Sequence, residues 1–206
     1  MKIAVIAANG RSGQVFVQKA LDAGHQVRGG ILGKSFLPSD PNLTTVNCDA
    51  TNPDQVKELI TSCDAVVGLI GHVKGSPAHV QTQAISTVID CMKSAGVSRI
   101  VSLTGTGVRF PGDKITLLDR FLNLGIGIVD PNRVKDGIDH VKLLEHSDID
   151  WTVIRVLKLQ NVAEKPFTLR ENGPTKPYVS REEVASAILQ VLEKHSFIQK
   201  SPIISK

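Results

Sequence analysis

The sequence predicts one domain built on a doubly wound, parallel α/β sheet. Short apolar runs alternate along the chain with segments of helical periodicity, and the runs are apolar throughout instead of alternating with polar residues. Strands of that kind are buried on both faces, so we expect helices to cover both sides of the sheet. The 206 residues contain no linker, internal repeat or low-complexity segment, so residues 1–206 are expected to form a single domain.

The first half of the chain accounts for four strands of this sheet. Apolar runs predict them at about 3–7, 26–32, 44–48 and 65–70. Helical spacing follows three of these runs, in a helix that Gly24 ends, a helix that Asn52-Pro53 opens, and a long helix at about 78–95.

The second half continues the pattern after one long interruption. Strands are predicted near 99–104, 151–156 and 202–204, and helices near 133–146 and 181–194. Residues 105–132 are expected to be irregular apart from a short amphipathic turn at Leu117, Leu118, Phe121 and Leu122. Connections of this length tend to be functional, so the segment could close over a ligand. Its leucines could also pack on a partner subunit, although packing in the core is favoured.

The composition excludes several classes of protein. With 41% hydrophobic and 21% charged residues, the chain is neither disordered nor collagen-like. The net charge of +4 is mild and its lysines and arginines are scattered, which favours an anionic ligand slightly and does not predict nucleic-acid binding. Three cysteines without a CxxC pair, an N-terminus unlike a signal peptide and no 18-residue apolar run predict a cytoplasmic protein that does not bind membranes. The six histidines show no metal-binding spacing.

The turn after the first strand carries the clearest functional signal. It reads Ala7-Ala8-Asn9-Gly10-Arg11-Ser12-Gly13 and leads directly into a helix. In that setting Gly10 lets the backbone approach a pyrophosphate, Gly13 lets the helix pack on the strand, and the helix N-terminus near Ser12 offers free N–H groups. Ala7 replaces the first glycine of the usual fingerprint. The turn predicts dinucleotide binding, with an ordinary turn that binds no ligand as the alternative.

The charges that follow the second strand favour NADP over NAD. NAD-binding chains usually carry an acid about 20 residues after the glycines, to bind the ribose 2′-hydroxyl. No Asp or Glu occurs between Ala23 and Ser39. Lys34 follows the second strand and Arg11 lies in the turn itself, and these cations suit a 2′-phosphate.

Further motifs agree with this turn in order and spacing. They are Asp49, Asp64-Ala65-Val66-Val67, the run from Ser147 to Arg155, and Ser180-Arg181-Glu182-Glu183-Val184-Ala185. Together with residues 8–13 they resemble the atypical short-chain dehydrogenase/reductases, in the NAD(P)H-binding group that includes biliverdin IXβ/flavin reductase and the NmrA-like redox sensors. The resemblance spans nearly the whole chain and implies a Rossmann-type fold.

The resemblance also implies roles for individual residues. Residues Gly10 to Gly13 would hold the pyrophosphate, Asp49 would lie beside the adenine, and Ile70 and Gly71 would line the adenosine and ribose. Thr104, at the end of the fifth strand, would lie near the nicotinamide. Arg155 matches the arginine of an Arg-Pro pair in which Val156 replaces the proline. Lys142 would contact a ribose or simply lie on its helix surface.

One departure narrows the expected chemistry. Family members with dehydrogenase activity use a Tyr-x-x-x-Lys pair, but Ile138 stands four residues before Lys142, and Tyr178 is the only tyrosine. Without that acid, alcohol dehydrogenation and sugar epimerisation are not expected. Biliverdin- and flavin-type reductases work without the tyrosine, because the hydride comes from the positioned cofactor.

We therefore expect an NADPH-dependent reductase of a small planar acceptor, such as a flavin, tetrapyrrole or quinone, acting as a monomer or homodimer. The alternatives are a redox-sensing regulator that binds NADP(H) without turnover, and a domain that has lost its nucleotide. An apolar crevice beside the nicotinamide would favour the enzyme. A filled crevice with an exposed apolar patch would favour the sensor.

Overall fold

Residues 1–73 and 75–206, which the computed structural model describes, form an eight-stranded sheet with helices on both faces. The strand order is β3-β2-β1-β4-β5-β6-β10-β8. These strands are β1 Lys2–Ile6, β2 Gln26–Ile31, β3 Leu43–Asn47, β4 Ala65–Gly68, β5 Arg99–Gly105, β6 Asp150–Val156, β8 Thr168–Arg170 and β10 Ile203–Ser205. Two further strands, β7 Lys158–Gln160 and β9 Tyr178–Ser180, pair separately.

The sheet is parallel except at one edge, where β8 runs antiparallel to β10. The strand order reverses between β1 and β4, which are direct neighbours. In sheets of this type the crevice beyond the carboxyl ends of such neighbours is where ligands bind. The doubly wound fold predicted from the sequence is confirmed.

Six helices in the described residues complete the two outer layers. They are α1 Arg11–Asp22, α2 Pro53–Ile60, α3 Val80–Ala95, α4 Leu117–Val129, α5 Pro131–Glu145 and α6 Arg181–Glu193. Phe16 of α1 and Ile188 of α6 pack in the core on one face of the sheet. Leu59, Met92 and Leu144, from α2, α3 and α5, pack in the core on the other. None of the helices is long and apolar enough, within the described residues, to cross a membrane.

The segment 105–132 differs from its expected irregular form. It contains the 13-residue helix α4, whose buried residue is Asp119, not a leucine. Leu117 and Leu118 are exposed and Leu122 is only half-buried, so the expectation that these leucines pack in the core is wrong; Phe121 is exposed as well. The reason is that Asp119 and Asn123 find hydrogen-bond partners inside the protein, which turns the opposite side of the helix outward.

The three cysteines are free and lie in buried positions around α2. Burial raises the pKa of Cys48 to about 11, and it also raises the pKa values of Cys63 and Cys91. All three are therefore protonated thiols at neutral pH.

Candidate functional site

The turn after β1 packs its backbone so tightly that two positions have little room for a side chain. A Cβ atom on Gly13 would come within 2.4 Å of the Ala7 carbonyl oxygen, and one on Gly10 would come within 3.0 Å of the same atom. Ala7 has a φ of 60°, the left-handed conformation that the glycine of the fingerprint adopts easily. For alanine that conformation costs about 1 kcal/mol. The backbone thus keeps the fingerprint shape although the residue has changed.

Helix α1 begins at this turn without a protein group at its N-terminus. Gly10 is its N-cap, no side chain caps it, and its first turn carries no acid. The other helices of the described chain each have an acceptor there: Asn52 for α2, Asp136 for α3, Thr116 for α4, Asp130 for α5 and Ser180 for α6. The free N–H groups of residues 11–13 and the helix dipole therefore make α1 the place for an anion.

Asn9 joins this turn to the loop that carries Lys34. Its Nδ2 donates to the Lys34 carbonyl oxygen across 2.8 Å, and its Oδ1 accepts from the Phe36 amide across 3.0 Å. The side chain of Lys34 remains exposed beside the turn. Asn9 thus fixes the loop that carries the predicted cation Lys34, and this link between the turn and the loop was not predictable from the sequence.

A further cation, which the sequence did not predict for the site, lies near Arg11. Arg181, the first residue of α6, is 8% exposed, and burial together with the charge of Arg11 lowers its pKa. Its Nη1 donates to the neutral Asn161 Oδ1 across 2.6 Å, and its Nε is buried without a partner among the described residues. Two neighbouring arginines at the start of α1 and α6 make this edge electropositive. In the sequence Arg181 belongs to the motif Ser180-Arg181-Glu182-Glu183-Val184-Ala185, which carries part of the resemblance but predicts no role for this side chain.

The ends of β3 and β4 line the other side of the crevice. Asp49 follows β3, and hydrogen bonds from the amide and hydroxyl of Thr51 to its Oδ1 lower its pKa, so its carboxylate is charged. The carbonyl of Ile70 accepts from Gln81 Nε2 across 2.7 Å. No atom lies within 4 Å of a Cβ placed on Gly71, so this wall is open.

The end of β5 meets helix α5 at a glycine. Thr104 is buried, and a Cβ on Gly137 would lie 2.9 Å from its Oγ1. One helical turn further along α5, Nε2 of His140 lies 2.9 Å from Ser102 Oγ. Burial lowers the pKa of His140 to about 4. The interior beside this pair holds a cavity of only about 10 Å³, so protein side chains largely fill it.

A buried carboxylate beside Gly137 organises the loop after β4. Asp136 accepts from His72 Nε2 across 2.7 Å, from the amides of Gln81 and Thr82, and from the Thr82 hydroxyl. Burial raises its pKa, but these hydrogen bonds outweigh burial and hold the pKa below its ordinary value. His72 also lines an open cavity of about 410 Å³, together with Ser76, Asn132 and Arg133.

Arg155 and Lys142, two further residues of the sequence-based expectation, make contacts within the protein. Arg155 is 1% exposed, and its five N–H groups bond to the carbonyls of Val108, Glu171 and Ser201 and to both oxygens of Asp113. Its guanidinium has no donor left for a cofactor. Lys142 is exposed in the last turn of α5, 4.0 Å from Asp139, away from the end of the helix that faces the crevice. It occupies the second of its two expected positions, the helix surface.

Comparison with known proteins identifies the family to which this chain belongs. The family model for NAD(P)H-binding proteins matches residues 7–195, which include the turn after β1 and all of α6. The chain belongs to this NAD(P)H-binding family, which is of the atypical short-chain dehydrogenase/reductase type. The tightly packed turn at Gly10 and Gly13, which we call the glycine cradle, and the uncapped N-terminus of α1 fit the pyrophosphate of the cofactor that this family binds.

Similar proteins are found both by sequence and by structure. The chain is 27% identical to an uncharacterised chloroplastic protein of Arabidopsis thaliana, over 95% of this chain and 74% of the plant protein. A short-chain dehydrogenase/reductase of Veillonella parvula, solved in complex with NADP, superposes with a TM-score of 0.84 at 17% identity, covering 100% of this chain and 94% of that one. A proposed NADH-flavin reductase of Streptococcus pneumoniae superposes with a TM-score of 0.78 at 22% identity, covering 100% of this chain and 98% of that one.

Proposed function

We propose that the protein is an NADPH-dependent reductase of a small planar conjugated acceptor of the flavin, tetrapyrrole or quinone type. The observation that carries the proposal is the N-terminus of α1, the one helix start in the described chain that no protein group caps. It lies at the switch point of the sheet and is bordered by a cradle that admits backbone only. A dinucleotide pyrophosphate matches that cradle in charge and in shape.

The proposed preference for NADPH rests on three cationic side chains and on the lack of acidic residues after the second strand. Asn9 fixes the loop of Lys34 beside the turn, and Arg11 and Arg181 add positive charge at the same edge. No acid between Ala23 and Ser39 would repel a 2′-phosphate. We assign Lys34 and Arg11 to the 2′-phosphate, and Arg181 to the pyrophosphate.

The remaining site residues divide between adenosine and nicotinamide. Ala7, Gly10, Ser12 and Gly13 present backbone to the pyrophosphate, with Asn9 as the residue that positions Lys34. Asp49, Ile70 and Gly71 border the adenosine and its ribose, at the ends of β3 and β4. Arg155 acts indirectly, because it holds the segment after β5 through Asp113.

Bound NADPH supplies a hydride, and the chain supplies its orientation. Thr104 lies where β5 ends, and the bare backbone of Gly137 leaves its hydroxyl room to contact the nicotinamide or the acceptor. The open cavity beside His72 is the place where we expect the acceptor. Because α5 carries no tyrosine acid, catalysis depends on positioning, and the acceptor must be one that accepts hydride readily.

A redox sensor that binds NADP(H) without turnover is the second candidate. Two observations favour it: the interior beside Ser102 and His140 is nearly filled, and α4 presents exposed apolar side chains. The sensor would bind the cofactor through the same cradle and lack a place for the acceptor.

The two functions separate in one experiment. NADPH oxidation is followed with a panel of flavins, quinones and biliverdin, and NADPH binding is measured in parallel by calorimetry. The enzyme predicts turnover with at least one acceptor, reduced by Gly10→Ala. Tight NADPH binding without oxidation of any acceptor would favour the sensor, and the absence of binding would contradict both.

A further inference from the structure

Helix α4 presents an apolar stripe to the outside of the molecule. Leu117, Phe121, Leu124 and Ile128 are 86%, 73%, 62% and 74% exposed. We call these four residues the α4 stripe. Single exposed leucines are common on protein surfaces, but a contiguous patch of this size marks an interaction site.

The stripe cannot turn inward, because the opposite side of α4 is anchored. Buried Asp119 accepts from Arg109, from the Thr175 hydroxyl and from Asn123. Asn123 in turn donates to Thr106 Oγ1 across 3.0 Å. Rotating the helix would leave the buried carboxylate of Asp119 without its partners, which costs about 3–5 kcal/mol.

The spacing of the stripe identifies its occupant as another helix. Its residues follow one another at intervals of four, three and four, which is the repeat of the contact seam in a two-helix coiled coil. The seam is also complementary to itself. In an antiparallel pair, Phe121 faces Leu124 of the second copy and Leu117 faces Ile128 of the second copy.

The residues beside the stripe fit the same arrangement. Arg120 on one flank meets Gly127 of the second copy, and Leu118 on the other flank meets Gly125 of the second copy. No atom lies within 4 Å of a Cβ placed on either glycine, so both leave space for the large residue opposite. Arg120 is the only charged side chain on the outer side of α4, so the pair brings no like charges together. A helix that lies on a membrane surface carries several cations, which α4 lacks.

The apolar area that α4 exposes is comparable with one side of a standard interface. The stripe, Leu118 and Val129 together expose on the order of 800 Å², taking roughly 200 Å² for each fully exposed side chain of this size. A standard-size interface buries about 800 Å² on each partner. We propose that α4 pairs with α4 of a second copy, antiparallel across a two-fold axis, and that the protein is a homodimer.

This dimer goes beyond the proposed function and does not depend on turnover. It does place the second copy close to the site, since Asn123 bonds to Thr106 just beyond the end of β5. Pairing would hold the segment after β5 in position in both copies.

The oligomeric state is tested by light scattering and analytical ultracentrifugation over a concentration series. Wild type should show twice the 22.2 kDa of the chain at micromolar concentration. Phe121→Glu/Leu124→Glu should be a monomer, with association weakened at least about 100-fold because four charges enter an apolar seam. Val162→Glu, at an exposed apolar residue outside α4, is the matched control and should remain a dimer. All three should bind NADPH equally.

The orientation is tested by disulfide formation between two differently tagged chains. A Phe121→Cys chain should crosslink to a Leu124→Cys chain, while neither should crosslink efficiently to itself. Self-crosslinking of Phe121→Cys would overturn the antiparallel pairing. A wild-type monomer at about 100 μM would overturn the dimer, and so would a dimer that survives the double glutamate change. Flotation of a monomer with anionic vesicles would assign the stripe to lipid instead.

Discussion

Gly13 and Ala7 meet with no room between them: a Cβ on Gly13 would lie 2.4 Å from the carbonyl oxygen of Ala7. Both the sharp turn after β1 and the start of α1 depend on this approach. The contact makes Gly13 a structural requirement, whereas Gly10 is a requirement of the ligand.

The two glycines should therefore respond differently to alanine. Gly13→Ala forces the backbone apart, so the free energy of unfolding should fall by about 3 kcal/mol. Gly10→Ala meets the Ala7 carbonyl oxygen at 3.0 Å with an ordinary φ of −66°, so it should cost less than about 1 kcal/mol. Its NADPH affinity should nevertheless fall more than tenfold, since the methyl group occupies the approach to the pyrophosphate. Urea unfolding and calorimetry distinguish the two, and equal stability losses would contradict the assignment.

The cofactor preference should reside in the cations beside the turn. A charge-assisted contact is worth about 1.5–3 kcal/mol, so NADPH should bind roughly ten- to a hundredfold tighter than NADH. Lys34→Ala/Arg11→Ala should weaken NADPH binding and leave NADH nearly unchanged, and high salt should reduce the preference in wild type. Equal affinities of the unmodified protein for the two cofactors would refute NADP selectivity and leave the fold unaffected.

Asn9→Ala should reproduce part of that loss without removing a charge. It releases the Lys34 carbonyl and the Phe36 amide from the turn, so Lys34 is no longer held near the 2′-phosphate. We expect NADPH affinity to fall by about tenfold, as for one lost positioning contact. Asn47→Ala, an exposed asparagine on β3, is the control. An unchanged NADPH affinity would show that the loop needs no anchor.

The role of Thr104 can be tested by a change at Thr104 itself and by a change at Gly137, which lies beside its hydroxyl. Thr104→Val removes the hydroxyl and should lower turnover by roughly tenfold, with a smaller effect on NADPH affinity. Gly137→Ala keeps the hydroxyl but places a methyl group 2.9 Å from it, so turnover should fall in the same way. If both variants turn over like wild type, Thr104 is only a packing residue at the end of β5.

His140 should make the protein less stable in weak acid. Its pKa is about 4 in the folded protein because of burial, against an ordinary value of 6.5. Between these values the unfolded chain binds a proton that the folded one excludes, so unfolding becomes easier as pH falls from 6.5 to 4. The full effect is about 3 kcal/mol. His140→Gln should flatten the pH dependence of urea unfolding in that window, whereas the exposed control His146→Gln should not; equal slopes in all three would contradict the prediction.

Breaking the buried pair of Arg155 and Asp113 should be more damaging than replacing it. Asp113→Leu leaves the Arg155 guanidinium buried without a counter-charge and should cost about 3–5 kcal/mol. The double change Arg155→Met/Asp113→Leu should recover part of that loss, measured by urea unfolding of both variants. A double variant no more stable than Asp113→Leu alone would argue against this account.

The parts of the molecule that the sequence predicted are those that local pattern decides. Continuous apolar runs located β1 to β6, and the glycines between β1 and α1 located the cradle. The orientation of α4 was not predictable in this way, since Asp119 is anchored by Thr175, 56 residues away. The roles expected for Arg155 and Lys142 came from a motif. Only the fold shows that the Arg155 guanidinium is paired with Asp113 and that Lys142 lies in the last turn of α5. A role for Arg181 was not predicted, because its proximity to Arg11 arises only when α1 and α6 pack together.

The burial of the three thiols affects how readily peroxide can oxidise the protein. Reduced flavins and quinones react with dioxygen and generate peroxide, so a reductase of the proposed kind would be exposed to peroxide. Peroxide attacks thiolates, and Cys48, Cys63 and Cys91 are inaccessible and remain protonated at neutral pH. Oxidation of these thiols should therefore be slow in the folded chain and faster once the chain unfolds.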